Sequence, residues 1–311
     1  MSKPLRVVFM GSPAFAVPTL RRVLADGHAV ALVVTQPDRP AGRGYALRPP
    51  PVKVLATERG LPILQPEGLK DGAVLSVLAA ARPEVIVVVA FGQFLPGAVR
   101  ELPRLGCVNV HASLLPKYRG AAPINWALIQ GEADTGISIM RVEAAMDAGP
   151  VLLQRRLPIA PDEDAGSLHD RLAEEGAGAL AEGLGILAGG QPVWSPQDDS
   201  RATRAPKITD AECRLTLPVE PAAFVNRVRG LAPSPGAYLA WRDQRLKILR
   251  AMFAPGTGPA AAILEVTDPA LVIGTGPGAV ALIEVQPEGR RRMTGAEFAR
   301  GQRLTPGGSL A

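Results

Sequence analysis

The chain has 311 residues, 47% of them hydrophobic and 20% charged, which suits about two packed domains and excludes a disordered chain. No apolar stretch reaches the ~18 residues of a membrane span. The start, MSKPLRVVFM, runs straight into a strand without a signal-peptide layout, so a cytoplasmic protein is expected. The formal net charge of +5 is unevenly placed: residues 201–311 carry 15 Lys+Arg against 9 Asp+Glu, and the first 200 carry 19 against 20. A basic module beside a near-neutral one fits a catalytic domain paired with a phosphate-rich partner. Cys107 and Cys213 have no CxxC partner, so buried free thiols are expected in place of a zinc site or a disulfide.

In chain order, LRVVFM (5–10) is a buried strand, Ser12 stands where a cap for the following helix is needed, and Gly27 ends that helix. HAVALVVT is a strand, Thr35 to Lys53 a long loop, PVKVLATERG a helix and LPILQP a short strand; a further helix ends near Ala81. EVIVVVA (84–90) and GCVNVHA (106–112) are continuous apolar runs, the kind that fill a parallel sheet covered on both faces. GAAPINWALIQG is a helix, TGISIMRV and PVLLQRRLPI are strands joined by EAAMDAG, and SLHDRLAEEGAGALAEGLGILAGG is an Ala-rich helix. Residues 1–189 therefore predict a doubly wound α/β domain with its ligand at the carboxyl ends of the strands. Residues 190–207, polar and Pro-bearing, mark a linker. Residues 208–311 hold short alternating runs (AYLAWRDQRLKILRA, ALVIGT, AVALIEV) between PSPG, PGTGP and TGPG, which predict a small antiparallel barrel or sandwich.

The first strand-to-helix turn, MGSPAF, has one glycine where a dinucleotide fold has three, and no phosphate-loop, nucleophile-elbow or HExxH signature occurs. The sharpest feature is VNVH. Asn109 and His111 lie two apart on a strand, share a face, and end an apolar run where such sheets bind ligands. The plain alternative is an Asn satisfied by its loop and a structural strand-end His. An amide and a protonated imidazole are both donors, and converging donors suit the oxyanion formed by addition to a carbonyl. With no side-chain nucleophile in view, the attacking group belongs to the substrate. Asp147, in the MDAG turn, is a candidate to hold the imidazole charged and take the proton of an attacking amine, or simply an Asx-turn residue. His28 and His169 are expected to be structural. In the segment from Thr35, the cations Arg39, Arg43, Arg48 and Lys53 are candidates for phosphate contact, against a solvated loop as the alternative.

The stretch VNVHASLLPKYRGAAPINWALIQGEADTGISIM followed by MDAGPVL resembles the folate-dependent formyltransferases. MGSPAFAVPTL, TQPDRPAGRG, ATRAPKIT, LAPSPGAY and MTGAEFARGQRL resemble the members of that family that act on an aminoacylated tRNA, so that the resemblance covers nearly the whole chain. It implies a Rossmann-like formyltransferase domain followed by an OB-like β-barrel. It also implies transfer of the formyl group of 10-formyltetrahydrofolate, a co-substrate, to the α-amino group of methionine carried on initiator tRNA; from the missing metal motifs no metal is expected, and a monomer is expected. Carried onto these positions, it makes Asn109, His111 and Asp147 the catalytic set, and Ser113, Leu114, Leu115 and Pro116 the turn that holds the folate. Arg43 falls in the basic loop that meets the tRNA acceptor end, and Lys207 where the linker approaches the tRNA. After the glycine pair the loop reads GYALRPPP, without the lysines many relatives place there, which shifts weight to Arg48 and the barrel. Rival readings are formyl transfer to an amino sugar nucleotide, the hydrolytic first module of a folate dehydrogenase, and a non-catalytic RNA-binding protein built on the basic barrel. The last has no use for Asn109, His111 and Asp147.

Overall fold

A computed structural model of the chain describes residues 3–41 and 46–310. It divides into two compact units, the first made of the chain up to Gly120, Thr135–Leu157 and His169–Arg204, the second of Ala121–Asp134, Pro158–Leu168 and the chain from Ala205 onward.

The sheet of the first unit has seven strands in the order Val151–Pro158, Asp134–Arg141, Cys107–His111, Val85–Val89, Arg6–Gly11, Ala29–Val34, Ile63–Leu64. Arg6–Gly11 pairs in parallel with Ala29–Val34 on one side and Val85–Val89 on the other, and Val85–Val89 in parallel with Cys107–His111. A parallel strand needs crossover helices on the faces of its sheet, which is why all five residues of Val85–Val89 are apolar and buried. The antiparallel strand Asp134–Arg141 continues the sheet, with Met140 opposite Asn109 and Ser138 opposite His111. The chain builds outward from Arg6–Gly11 in one direction and then, from Val85–Val89, in the other. The switch between these two strands is where an open α/β sheet leaves a crevice at its carboxyl edge.

The lone glycine of MGSPAF has a packing reason. A Cβ on Gly11 would stand 2.9 Å from both the Ala16 Cβ and the Val89 carbonyl oxygen. Ser12 does not cap the helix: a 3-10 turn, Ala14–Ala16, precedes Val17–Ala25 and starts at Pro13 without a side-chain cap. The Ser12 hydroxyl instead accepts from the Gln36 N–H at 3.0 Å and the Thr35 hydroxyl at 3.2 Å, because at this buried strand end those donors have no water to turn to. The segment from Thr35 to Lys53 is not all loop, since Arg39–Ala41 and Ala46–Arg48 pair antiparallel, with Arg39 opposite Arg48.

His28 is structural. Its Nδ1 accepts the Leu5 N–H at 3.0 Å, and burial holds its pKa below the ordinary 6.5, with Asp26 pulling weakly the other way. Protonation removes that acceptor. Because the folded-state pKa is the lower one, the folded protein binds the proton less readily, so stability is lost as pH falls from 6.5 toward the folded value. Urea unfolding at pH 7.5 and 5.5 is expected to show a smaller stability drop in His28→Ala than in the parent. Equal drops would remove His28 from the acid sensitivity.

In the second unit an antiparallel sheet runs in the order Ala237–Trp241, Gln244–Ala254, Ala279–Pro287, Ala270–Gly274, Ile263–Thr267, with Met293–Thr294 also on Ala279–Pro287. It folds around the helices Pro221–Leu231 and Gly295–Gln302. Phe224, Val228, Ile248, Leu271, Leu282 and Phe298 share one buried cluster. AYLAWRDQRLKILRA is two strands, joined at Arg242 and Asp243, whose φ angles of 46° and 59° make the positive-φ turn a tight hairpin needs. Residues 121–134 lie inside the stretch expected to form one domain, yet they pack in this unit: the Asn125 amide donates to the Gly230 carbonyl at 2.7 Å, from the helix Pro123–Ile129 to the helix Pro221–Leu231. No helix among the described residues is long and apolar enough to cross a membrane.

Candidate active site

Asn109 and His111 leave the same face of Cys107–His111. The imidazole is buried, with 6% of its side chain exposed, and both ring nitrogens face oxygen: Nε2 lies 3.0 Å from the Tyr118 carbonyl, and Nδ1 lies 3.8 Å from the Asp147 carboxylate. A carbonyl only accepts, so Nε2 carries a hydrogen, and Nδ1 is the nitrogen turned toward Asp147. At 3.8 Å the carboxylate attracts a charge on the ring without a direct hydrogen bond. Asp147 accepts the Gly120 N–H at 2.9 Å through the same oxygen. Tyr118 and Asp147, the two residues facing the ring, both have left-handed backbones, φ 61° and 51°. The Asn109 amide, on a half-buried residue, makes no hydrogen bond among the described residues.

The turn from Ser113 to Pro116 follows directly. Its polar groups are largely engaged within the protein: the Ser113 hydroxyl donates to the Lys117 carbonyl at 2.6 Å, and the Ser113 carbonyl accepts the buried Ser138 hydroxyl at 2.6 Å. Leu115 N–H donates to Ser138 Oγ at 3.1 Å, and its carbonyl accepts from Gln154 at 2.9 Å. Leu115 packs with Met140 and Val151, whereas Leu114 and Pro116 stay partly open. The turn therefore offers a fixed apolar edge more than a row of free backbone donors. Sequence reasoning passed over Phe94 and Met146, 62% and 75% exposed. Phe94 lies in the loop after Val85–Val89, the strand that pairs with Cys107–His111, and Met146 immediately precedes Asp147. Cys107 is no rival nucleophile, because burial pushes its thiol up to about 12.

The basic residues sort themselves. Arg39 pairs with Glu67 at 2.8 Å and Lys53 with Asp38 at 2.7 Å, so these two are committed locally, while Arg48 and Lys207 are exposed. Hydrogen bonds from Gln65 and then from Lys53 hold the Asp38 carboxyl below its ordinary range. Arg43 lies outside the described residues. The second unit holds a cavity of about 410 Å³ lined by Trp241, Arg242, Gln244, Arg290, Phe298 and Gln302, with the Arg242 guanidinium 4.6 Å above the Trp241 ring. His169 stacks edge-on against Phe15 at 5.2 Å and pairs with Asp170, a surface role.

The chain matches the formyl transferase family model over residues 5–184 and the formyl transferase C-terminal domain model over residues 207–303. It is 47% identical over 306 residues to a methionyl-tRNA formyltransferase of Geobacter sulfurreducens, covering 98% of this chain and 96% of that one. Among solved structures it resembles HypX from Aquifex aeolicus in complex with tetrahydrofolic acid, at TM-score 0.66 and 17% identity over 96% of this chain and 47% of that one. It also resembles WlaRD, a sugar 3N-formyl transferase in the presence of dTDP and 5-N-formyl-THF, at TM-score 0.67 and 15% identity over 93% of this chain and all of that one. The two structural likenesses concern the fold.

Proposed function

The chain belongs to the methionyl-tRNA formyltransferases, and we propose that Asn109, His111 and Asp147 are the residues through which it moves a formyl group from 10-formyltetrahydrofolate to the α-amino group of initiator methionyl-tRNA. The observation that carries this is the unengaged Asn109 amide beside an imidazole held between a carbonyl and a carboxylate. Asn109 donates to the oxygen of the formyl group as the amine adds to its carbon and negative charge grows there. Asp147 takes the proton the amine loses, directly or by way of His111 Nδ1; collapse of the tetrahedral adduct then breaks the bond between the formyl carbon and N10 of the folate, and the proton is handed to N10, so that formylmethionyl-tRNA and tetrahydrofolate leave. Because His111 gives Nε2–H to Tyr118, the oxyanion contact rests on Asn109, and the imidazole serves the charge and the proton. On this reading the folate ring system is received by the turn from Ser113 to Pro116, whose Leu114 and Pro116 stay partly open and whose polar groups are engaged within the protein.

Incubation with formyl-labelled 10-formyltetrahydrofolate and a mixture of methionyl-tRNA and an amino sugar nucleotide tests the assignment. Label is expected on methionyl-tRNA. Label on the sugar would transfer the protein to the other branch of the family.

Recognition of the tRNA is assigned to Arg43, Arg48 and Lys207, with Arg242 and Arg290 of the basic second unit as further cations. Arg43→Ala and Lys207→Ala are each expected to raise the KM for methionyl-tRNA and leave the folate KM unchanged. Each should also flatten the slope of log K against log salt by about one. An unchanged slope in both would place the phosphate contacts elsewhere.

A further inference from the structure

The ring of His111 is flanked by two residues, Tyr118 and Asp147, in left-handed conformations that non-glycine residues keep only when their surroundings over-determine them. Nothing between His111 and Asp147 fixes their 3.8 Å spacing, since no hydrogen bond joins them directly. Both flanking residues, Tyr118 and Asp147, are held by one short segment from the stretch expected to be a linker. The Gln197 amide nitrogen donates to the Asp147 carbonyl at 2.8 Å and to the Gly149 carbonyl at 2.7 Å. Its oxygen accepts two N–H groups of the largely buried Arg119, at 3.0 and 2.8 Å, and Arg119 also pairs with Asp199 at 2.7 Å. Both donors and both acceptor positions of this amide are thus used, which leaves it one orientation: flipped, it would set oxygen against two carbonyls. Thr203 does the same for the other side. Its hydroxyl accepts the Tyr118 N–H at 2.9 Å, its carbonyl accepts the Arg119 N–H at 2.9 Å, and its N–H donates to the Pro116 carbonyl at 3.3 Å. Upstream the segment is moored to the sheet edge, where Ser195 and Val151 exchange two backbone hydrogen bonds of 2.8 Å and Trp194 lies against the Arg141 guanidinium at 4.5 Å.

We propose that Gln197–Thr203 is a strap that sets the geometry of the imidazole and carboxylate, with Gln197 and Thr203 as positioning residues for Asp147 and for His111 through Tyr118. A segment that only joined two domains would not direct its side-chain hydrogen bonds onto the two residues that face one catalytic ring. The proposal rests on the catalytic reading given above, and its test separates the two.

The test uses full-length Gln197→Ala, Gln197→Glu and Thr203→Val, with Thr203→Ser as the conservative rescue. Amide hydrogen exchange is read at Gly120, whose N–H is held by Asp147, at Tyr118, and across Val85–Val89 as a reference. Gln197→Ala should speed exchange at Gly120, and Thr203→Val at Tyr118, each by about tenfold, with Val85–Val89 unchanged. The kcat of both should fall roughly 10- to 100-fold, with each KM moving less than about threefold, as misplacement of a reacting group predicts. Gln197→Glu keeps an acceptor for Arg119 but turns a carboxylate toward two carbonyls, so it should follow Gln197→Ala. Thr203→Ser should stay within about threefold of the parent. If Gln197→Ala does not fold, the Thr203 pair decides. Exchange and kcat within about twofold of the parent in Gln197→Ala and Thr203→Val would overturn the strap, as would a loss of protection shared by Val85–Val89, which reports global destabilisation. Exchange is measured without turnover, so absence of formyl transfer in the parent would overturn the catalytic reading while the strap is still decided.

Discussion

Asn109→Ala is expected to lower kcat by roughly 10²–10³, the usual cost of removing one donor from an oxyanion site. The KM for either substrate should change little, because a donor that matters when charge develops contributes more to the transition state than to binding. The side chain has no structural partner among the described residues, so its loss leaves no buried group unpaired and the fold should be unaffected. His111→Ala is expected to cost a similar factor by a different route. It removes the imidazole and with it the hydrogen bond to the Tyr118 carbonyl and the charge facing Asp147, so some loss of stability should accompany it. Turnover near the parent value in both variants would sink the mechanism.

Asp147→Asn is the second large effect, with kcat reduced roughly 10²- to 10⁴-fold, the range that general acid–base groups contribute. The substitution is unusually clean here. Asn adopts a left-handed backbone as readily as Asp, and its side-chain oxygen still accepts the Gly120 N–H that Asp147 accepts at 2.9 Å. Only the charge 3.8 Å from Nδ1 and the proton-accepting capacity are lost. Melting temperature and folate affinity should therefore hold while turnover falls. A parallel fall in melting temperature would make Asp147 a turn residue and nothing more.

The fold was legible wherever burial leaves a one-dimensional pattern. Val85–Val89 is a parallel strand because it is apolar on both faces, and Asn109 and His111 stand out because two polar groups at i and i+2 interrupt such a run. Asp147 is singled out by its turn, and the structure sets its carboxylate 3.8 Å from His111 Nδ1. Arg242 and Asp243 hid a hairpin because neither is the glycine or asparagine that usually marks one. Ser12 has the chemistry of a cap, and only the approach of Gln36 to a neighbouring strand end shows where its hydroxyl goes. Gln197 is 78 residues from Arg119 and 50 from Asp147, a meeting created by tertiary packing that no local spacing encodes. For the same reason the affiliation of Pro123–Ile129 with Pro221–Leu231 could not be read along the chain.

That affiliation changes how recognition should be dissected. Cutting after Lys207 would strip Asn125 of its Gly230 partner and free the Glu163 and Ala160 carbonyls from Arg229, so a truncated first domain tests folding before it tests tRNA binding. Point substitutions in the intact chain avoid this.

The most direct measurement is single-turnover transfer of labelled formyl from 10-formyltetrahydrofolate to methionyl-tRNA, with both substrates saturating, in the parent and in Asn109→Ala, alongside tRNA affinity across a salt series. A transfer rate lower by roughly 10²–10³ with an unchanged affinity and salt slope is the predicted result. Equal rates, or a loss that follows tRNA affinity, would contradict the assignment of formyl-oxygen stabilisation to Asn109.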